Sequence, residues 1–125
     1  MTENAKKEDR PLVSAGIDIL EQGDFYRLVN LYGERFLGKI LTKGEIEHMP
    51  SNDRELYYCI TFSFKEAIWK ALPDTLQKRR SRKSIEIIWA EDSPLFPCLG
   101  KGVEGTLDFS VAGTLVITTA VLTLR

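Results

Sequence analysis

The residues with chemistry to offer are few, and they sit at three places. Asp18 stands in Gly16-Ile17-Asp18-Ile19-Leu20, an apolar stretch where a carboxylate costs stability unless something pairs with it. A metal ion, a basic side chain or a structural hydrogen bond would each meet that need. Glu66 and Lys70 stand four apart in Phe62-Ser63-Phe64-Lys65-Glu66-Ala67-Ile68-Trp69-Lys70, on one face of a helix. That spacing alone also describes a solvated salt bridge. Lys78-Arg79-Arg80-Ser81-Arg82-Lys83 is a basic run without interleaved aromatics, which reads equally as a solvated loop or as a contact for phosphates or an acidic protein. His48 is the single histidine, in a short charged segment, and reads as surface. Without a cluster of His and Cys ligands, zinc is not expected. Neither a nucleophile elbow, a Walker loop nor a dinucleotide fingerprint occurs. Cys59 and Cys98 both have apolar neighbours and read as buried structural thiols, which suits a reducing compartment.

The elements that must position these groups follow from hydrophobic periodicity. Alternation over 13–21 predicts a strand, with Ile17 and Ile19 on one face and Asp18 and Leu20 on the other. Phe25, Leu28, Val29 and Tyr32 recur at helical spacing, with Asp24 as the expected N-cap and Gly33 as the stop. Thr42-Lys43-Gly44-Glu45 has the form of a capping box and starts a short helix. Asn52-Asp53-Arg54-Glu55 opens the longest helix, which carries Glu66 and Lys70 and ends before Pro73. A loop over 73–84 and a strand over 84–90, through Ile85, Ile87 and Trp89, are expected next. Two further strands, 106–111 and 115–124, are joined by a hairpin turn at Ala112-Gly113-Thr114. The expected strands and helices give an α+β fold, a largely antiparallel sheet packed with a long helix and shorter helices.

The bulk numbers bound the rest. The chain has 125 residues, 43% hydrophobic and 28% charged, enough for one core without disulfides or a structural metal. Residues 1–10 are polar and charged and read as a flexible tail, leaving 11–125 as one domain. A formal net charge of -1 gives no reason to expect nucleic acid or a membrane surface as partner. No signal peptide and no spanning run is visible, so a cytoplasmic location is expected. The last strand is apolar on both faces, Leu115, Ile117 and Val121 on one and Val116, Ala120, Leu122 and Leu124 on the other. One face can cover helices; the other needs a partner.

Together these pieces resemble the holo-acyl-carrier-protein synthase type of 4′-phosphopantetheinyl transferase. The similar blocks are Gly16 to Glu21, then Arg35-Phe36-Leu37 with Leu41-Thr42 and Glu45, then Phe62 to Leu72, Ile85-Glu86-Ile87, and Pro97 to Gly100. The resemblance implies a compact α+β unit, assembled as a homotrimer with active sites between subunits. It implies transfer of 4′-phosphopantetheine from coenzyme A to a serine of an acyl carrier protein, releasing adenosine 3′,5′-bisphosphate in fatty acid biosynthesis. Asp18 and Glu66 match the family's Mg²⁺ ligands, Lys70 its phosphate-holding lysine, and Lys65 and Ser110 further coenzyme A contacts. Leu20, where larger relatives carry a second strand carboxylate, favours the smaller, trimeric type. The chain departs from the pattern at three places. Val111 stands where the family has a histidine after the serine, Asp24 where it has an arginine for the acidic carrier, and the basic run where it has a glycine turn over coenzyme A. A non-catalytic module that binds coenzyme A or a carrier protein is the alternative reading.

Overall fold

The computed structural model describes residues 12–125; the expected tail over 1–10 lies outside the described residues. Strand β1 (Leu12–Glu21) pairs antiparallel with the C-terminal strand β5 (Leu115–Leu124), whose other edge pairs with β4 (Val103–Ala112). The sheet order is therefore β1-β5-β4. A two-residue turn, Gly113-Thr114, joins β4 to β5, and Gly113 takes the left-handed φ of 62° that such a turn requires.

The period of two in β1 has a definite outcome. Ser14, Gly16, Asp18 and Leu20 face the long helix α4 (Arg54–Ala71), whereas Val13, Ile17 and Ile19 lie on the open side of the sheet. The more apolar face of the strand is thus the uncovered one. Gly16 is what lets β1 and α4 touch: a Cβ there would run into the carbonyl oxygen of Ala67. Two residues earlier, the Ser14 hydroxyl donates to the carbonyl of Ala71 at 2.6 Å and fixes the strand along the helix. Phe64, Ala67 and Ile68 of α4 are fully buried, as are Val116, Ala120 and Leu122 of β5.

Helix α1 (Gln22–Tyr32) starts directly off β1. Its cap is Glu21, whose carboxylate accepts from the Gly23 N–H at 2.6 Å, and Asp24 lies in the first turn instead of capping it. Gly33, at φ 55°, ends α1 as expected, but a second helix, α2 (Glu34–Ile40), follows at once. Helix α3 (Lys43–Glu47) carries the complete capping box of Thr42 and Glu45. Helix α4 stops at Leu72 before Pro73, and a single-turn helix α5 (Asp74–Gln77) occupies part of the expected loop.

The expected strand over 84–90 shrinks to a two-residue pairing of β2 (Trp89–Ala90) with β3 (Ser93–Pro94). Its alternation is genuine, since Ile85, Ile87 and Trp89 are all buried. The Ile87 N–H, however, donates to the Glu45 carboxylate at 2.8 Å instead of to a neighbouring strand. Alternating burial arises wherever an extended segment lies on a core, with or without a ladder. Cys59 is buried as expected; Cys98 is exposed, contrary to its apolar sequence neighbours. Among the described residues, no helix is long and apolar enough to cross a membrane.

Candidate functional site

The β1–α4 contact gathers the polar groups of the sequence into one place. Asp18 points from β1 at α4 and is gripped from both sides. The Lys70 ammonium donates to its Oδ1 at 2.9 Å, and also to the Ile17 carbonyl at 3.1 Å. The Ser63 hydroxyl donates to Oδ2 at 2.8 Å and shares a 2.7 Å hydrogen bond with the Thr118 hydroxyl of β5. Ser63 and Thr118 are fully buried, so these hydroxyls are held in one arrangement, and Asp18 with them. A basic side chain and a structural hydrogen bond thus both meet the pairing demand of Asp18.

Glu66 sits between Ser63 and Lys70 on the same stripe of α4, three residues from the first and four from the second. It does not pair with Lys70. Its carboxylate lies 3.3 Å from Nε of Arg82, a residue of the basic run. The Arg82 guanidinium also rests on the indole of Trp69, with Cζ 5.1 Å from the ring centroid. Beside Glu66 opens a cleft of about 290 Å³ with Lys39, Arg82 and Lys83 on its walls.

Lys65 lines the base of that cleft, but its ammonium is enclosed. It contacts Glu45 Oε1 at 2.6 Å and donates to the Lys83 carbonyl at 2.7 Å, with the side chains of Lys65 and Glu45 1% and 0% exposed. Burial pushes the Lys65 ammonium below the usual lysine range, while the Glu45 carboxylate opposes that shift. Glu45 is saturated in turn, because Oε1 also accepts from the Thr42 N–H and Oε2 from the Ile87 N–H. This ion pair ties α3, α4 and the 83–87 segment together. Ser110 lies elsewhere, exposed on β4 on the open side of the sheet and opposite Ile117.

The structure therefore brings Asp18 and Lys70 into contact, with Glu66 on the helix stripe between the groups that hold Asp18. It sets Lys65 in the core and Ser110 on the open sheet face. Sequence reading missed Ser63, Thr118 and Arg82. Ser63 had a signal, since it stands between Phe62 and Phe64 as Asp18 stands between Ile17 and Ile19. Arg82 had none that separates it from five neighbouring residues of the basic run.

Two carboxylates, each now balanced by a basic side chain, match Mg²⁺, which takes one or two carboxylates and fills its shell with water and phosphate oxygens. No group of three or more His, Cys, Asp or Glu side chains that could hold a metal occurs among the described residues.

The family model of the 4′-phosphopantetheinyl transferase superfamily matches residues 14–121. The chain belongs to this superfamily, as a transferase of the holo-acyl-carrier-protein synthase type. It is 36% identical over 103 residues to the holo-[acyl-carrier-protein] synthase of Maridesulfovibrio salexigens, covering 82% of this chain and 83% of that one. The crystal structure of the Helicobacter pylori holo-[acyl-carrier-protein] synthase in complex with coenzyme A superposes with a TM-score of 0.70 at 25% identity, over 86% of this chain and 98% of that chain. The Chronobacterium ammoniagenes synthase–coenzyme A complex superposes at 0.73, with 17% identity, over 91% and 98% of the two chains, and shares the α+β fold.

Proposed function

We propose that this chain transfers 4′-phosphopantetheine from coenzyme A to a serine of an acyl carrier protein and releases adenosine 3′,5′-bisphosphate, with Asp18 and Glu66 as the Mg²⁺ ligands. The observation that carries the reading is the grip on Asp18 by Ser63 and Lys70, which sets a strand carboxylate on the helix that carries Glu66. The holo-[acyl-carrier-protein] synthase name of the relatives supports it, as does the coenzyme A complex of the H. pylori protein.

Mg²⁺, when bound, would supply charge stabilisation at the pyrophosphate. The chain's own residues do the rest. The Lys70 ammonium, half exposed, donates to phosphate oxygens as charge builds on them. The carrier serine oxygen forms a bond to the phosphorus that bears pantetheine. The bond from that phosphorus to the bridging oxygen breaks, and adenosine 3′,5′-bisphosphate leaves. Glu66 takes the serine proton. Lys65 serves coenzyme A indirectly, through the Lys83 backbone that its ammonium fixes. Ser110, exposed on the open sheet face, serves the coenzyme A of a neighbouring subunit in a homotrimer. The acidic carrier docks at the groove of about 390 Å³ formed by Leu28, Tyr32 and Phe36, whose rim carries Arg35 and Lys39. Asp24, exposed in the first turn of α1, tunes which carrier is accepted.

The test is incubation with coenzyme A, Mg²⁺ and apo-carriers from the same genome, with the carriers weighed by mass spectrometry. A carrier heavier by one phosphopantetheine is the expected result, and Asp18→Asn or Glu66→Gln should lower the rate at least a hundredfold. The second reading, a module that binds without turnover, draws on Val111, an aliphatic side chain that is 42% exposed where the family has a histidine. Coenzyme A binding without any mass gain on the carriers would establish it.

A further inference from the structure

Glu66 is occupied, and its occupant is unusually well placed. Arg82 is not a free arm of a mobile loop. The Lys83 ammonium, next along the chain, donates to the Gly38 carbonyl at 2.6 Å, and the Lys83 carbonyl accepts from buried Lys65 at 2.7 Å. On the other side, a tight turn closes the chain, with the Ser84 N–H donating to Ser81 Oγ at 3.2 Å and the Ser84 hydroxyl to the Ser81 carbonyl at 2.7 Å. Between these fixed points, the Arg82 guanidinium lies on the Trp69 face and against Glu66, two residues one helical turn apart on α4. Such a pair pays little entropy to form, because both partners are held beforehand. It is nonetheless weak. The Arg82 side chain is 56% exposed, and its single charge faces a carboxylate that a divalent ion would bind with twice the charge. Once released, the guanidinium faces a cleft it shares with Lys39 and Lys83. Cations gathered so closely call for an anion such as phosphate.

We infer that Arg82 exchanges partners: it holds Glu66 while the site lacks a divalent cation, and passes to the pyrophosphate oxygens of coenzyme A when the cation takes Glu66. This rests on the reading of Glu66 as a cation ligand. The exchange keeps Glu66 ordered before loading. It also makes the cation and coenzyme A bind cooperatively, because each releases what the other needs.

The experiment titrates the full chain with Mn²⁺ and reads the free ion by electron paramagnetic resonance, without coenzyme A. Calorimetry then measures coenzyme A binding in the presence of Mg²⁺. Arg82→Gln should bind Mn²⁺ about two- to fivefold more tightly, the size expected for losing an exposed ion pair. It should bind coenzyme A about tenfold more weakly, as expected for one lost charge-assisted contact. Arg79→Gln removes the same charge from the same basic run and should change Mn²⁺ affinity little. Unchanged or weaker Mn²⁺ binding by Arg82→Gln overturns the exchange, as does unchanged coenzyme A binding. Equal tightening by Arg79→Gln also overturns it, since the effect would then be general charge. Glu66→Gln separates the two layers of the argument: if it binds Mn²⁺ as the wild type does, the assignment of Glu66 as a ligand falls, whatever Arg82 does.

Discussion

At the scale of single residues, the buried charge among the described residues is one pair. Lys65 and Glu45 are both enclosed, and every polar contact they make is internal. A buried pair is weak as a source of net stability but costly to break, because the survivor is left charged in the core. Lys65→Met should therefore lower unfolding stability by about 3–5 kcal/mol, read from a urea denaturation midpoint. A shift no larger than that of an exposed substitution would mean that Glu45 finds another partner or takes up a proton. The two thiols diverge for the same reason, burial. The Cys59 thiol is pushed up to about 12, first by burial and then by the negative charges of Glu21 and Asp18. Only the thiolate is nucleophilic, so Cys59 is inert near neutral pH, while Cys98 is exposed. A thiol reagent should modify one cysteine in the folded chain and both after denaturation. Rapid native labelling of both would refute the assignment.

At the scale of elements, the site exists because β1 and α4 approach without a side chain between them. Gly16→Ala would drive a Cβ into the Ala67 carbonyl, a backbone atom of a buried helix that cannot yield as a flexible side chain can. The expected loss is on the order of 1–3 kcal/mol or more, with Asp18 displaced from Ser63 and Lys70 and activity falling further than stability. Gly38→Ala is the control. It sits in α2 with open space around it, and should instead raise stability by about 0.5–1 kcal/mol. Equal melting temperatures for Gly16→Ala and the wild type would show that the close approach is not required. The capping box, the Gly33 stop, the long helix ending before Pro73 and the final hairpin were legible in the sequence, because each is fixed by local rules. Helix α2 was not legible, for Gly33 ends one helix and begins the next. Neither was the α1 cap: strand and helix abut, so Glu21 supplies an oxygen that sequence reading looked for three residues later. The lost strand over 84–90 depends on Glu45 taking the Ile87 N–H from 42 residues away, a tertiary fact. In the site, Asp18 could be singled out because it offends a local pattern. Arg82 obeys one, so only the fold reveals its partner.

At the scale of the whole molecule, the sheet poses the remaining question. Its helix side is filled, but its other side presents Val13, Ile17 and Ile19 of β1, at 69%, 59% and 61% exposure, beside Val121 and Leu115 of β5. The register makes these one surface and not scattered residues: Ile19 lies opposite Ile117, and Ala15 opposite Val121. Further along the same face, β4 presents Glu104, Thr106, Asp108 and Ser110, so apolar and polar edges lie side by side. A contiguous apolar strip bounded by polar groups is the form of an interface, and leaving it wet would invite aggregation. A closed ring of three would satisfy every copy of the strip without an open end. The expected result is a light-scattering mass about three times the 14.2 kDa of the chain at micromolar concentration. Ile17→Lys places a charge in the middle of the strip, on a side chain that touches neither α4 nor Asp18. It should give folded monomers with an unchanged far-ultraviolet circular dichroism spectrum. Because the coenzyme A site would lose its neighbouring subunit, the variant should also lose transfer activity while keeping the Asp18–Lys70 contact. A monomeric wild type under the same conditions would reject the ring. A trimeric Ile17→Lys would move the contact to another face of the chain.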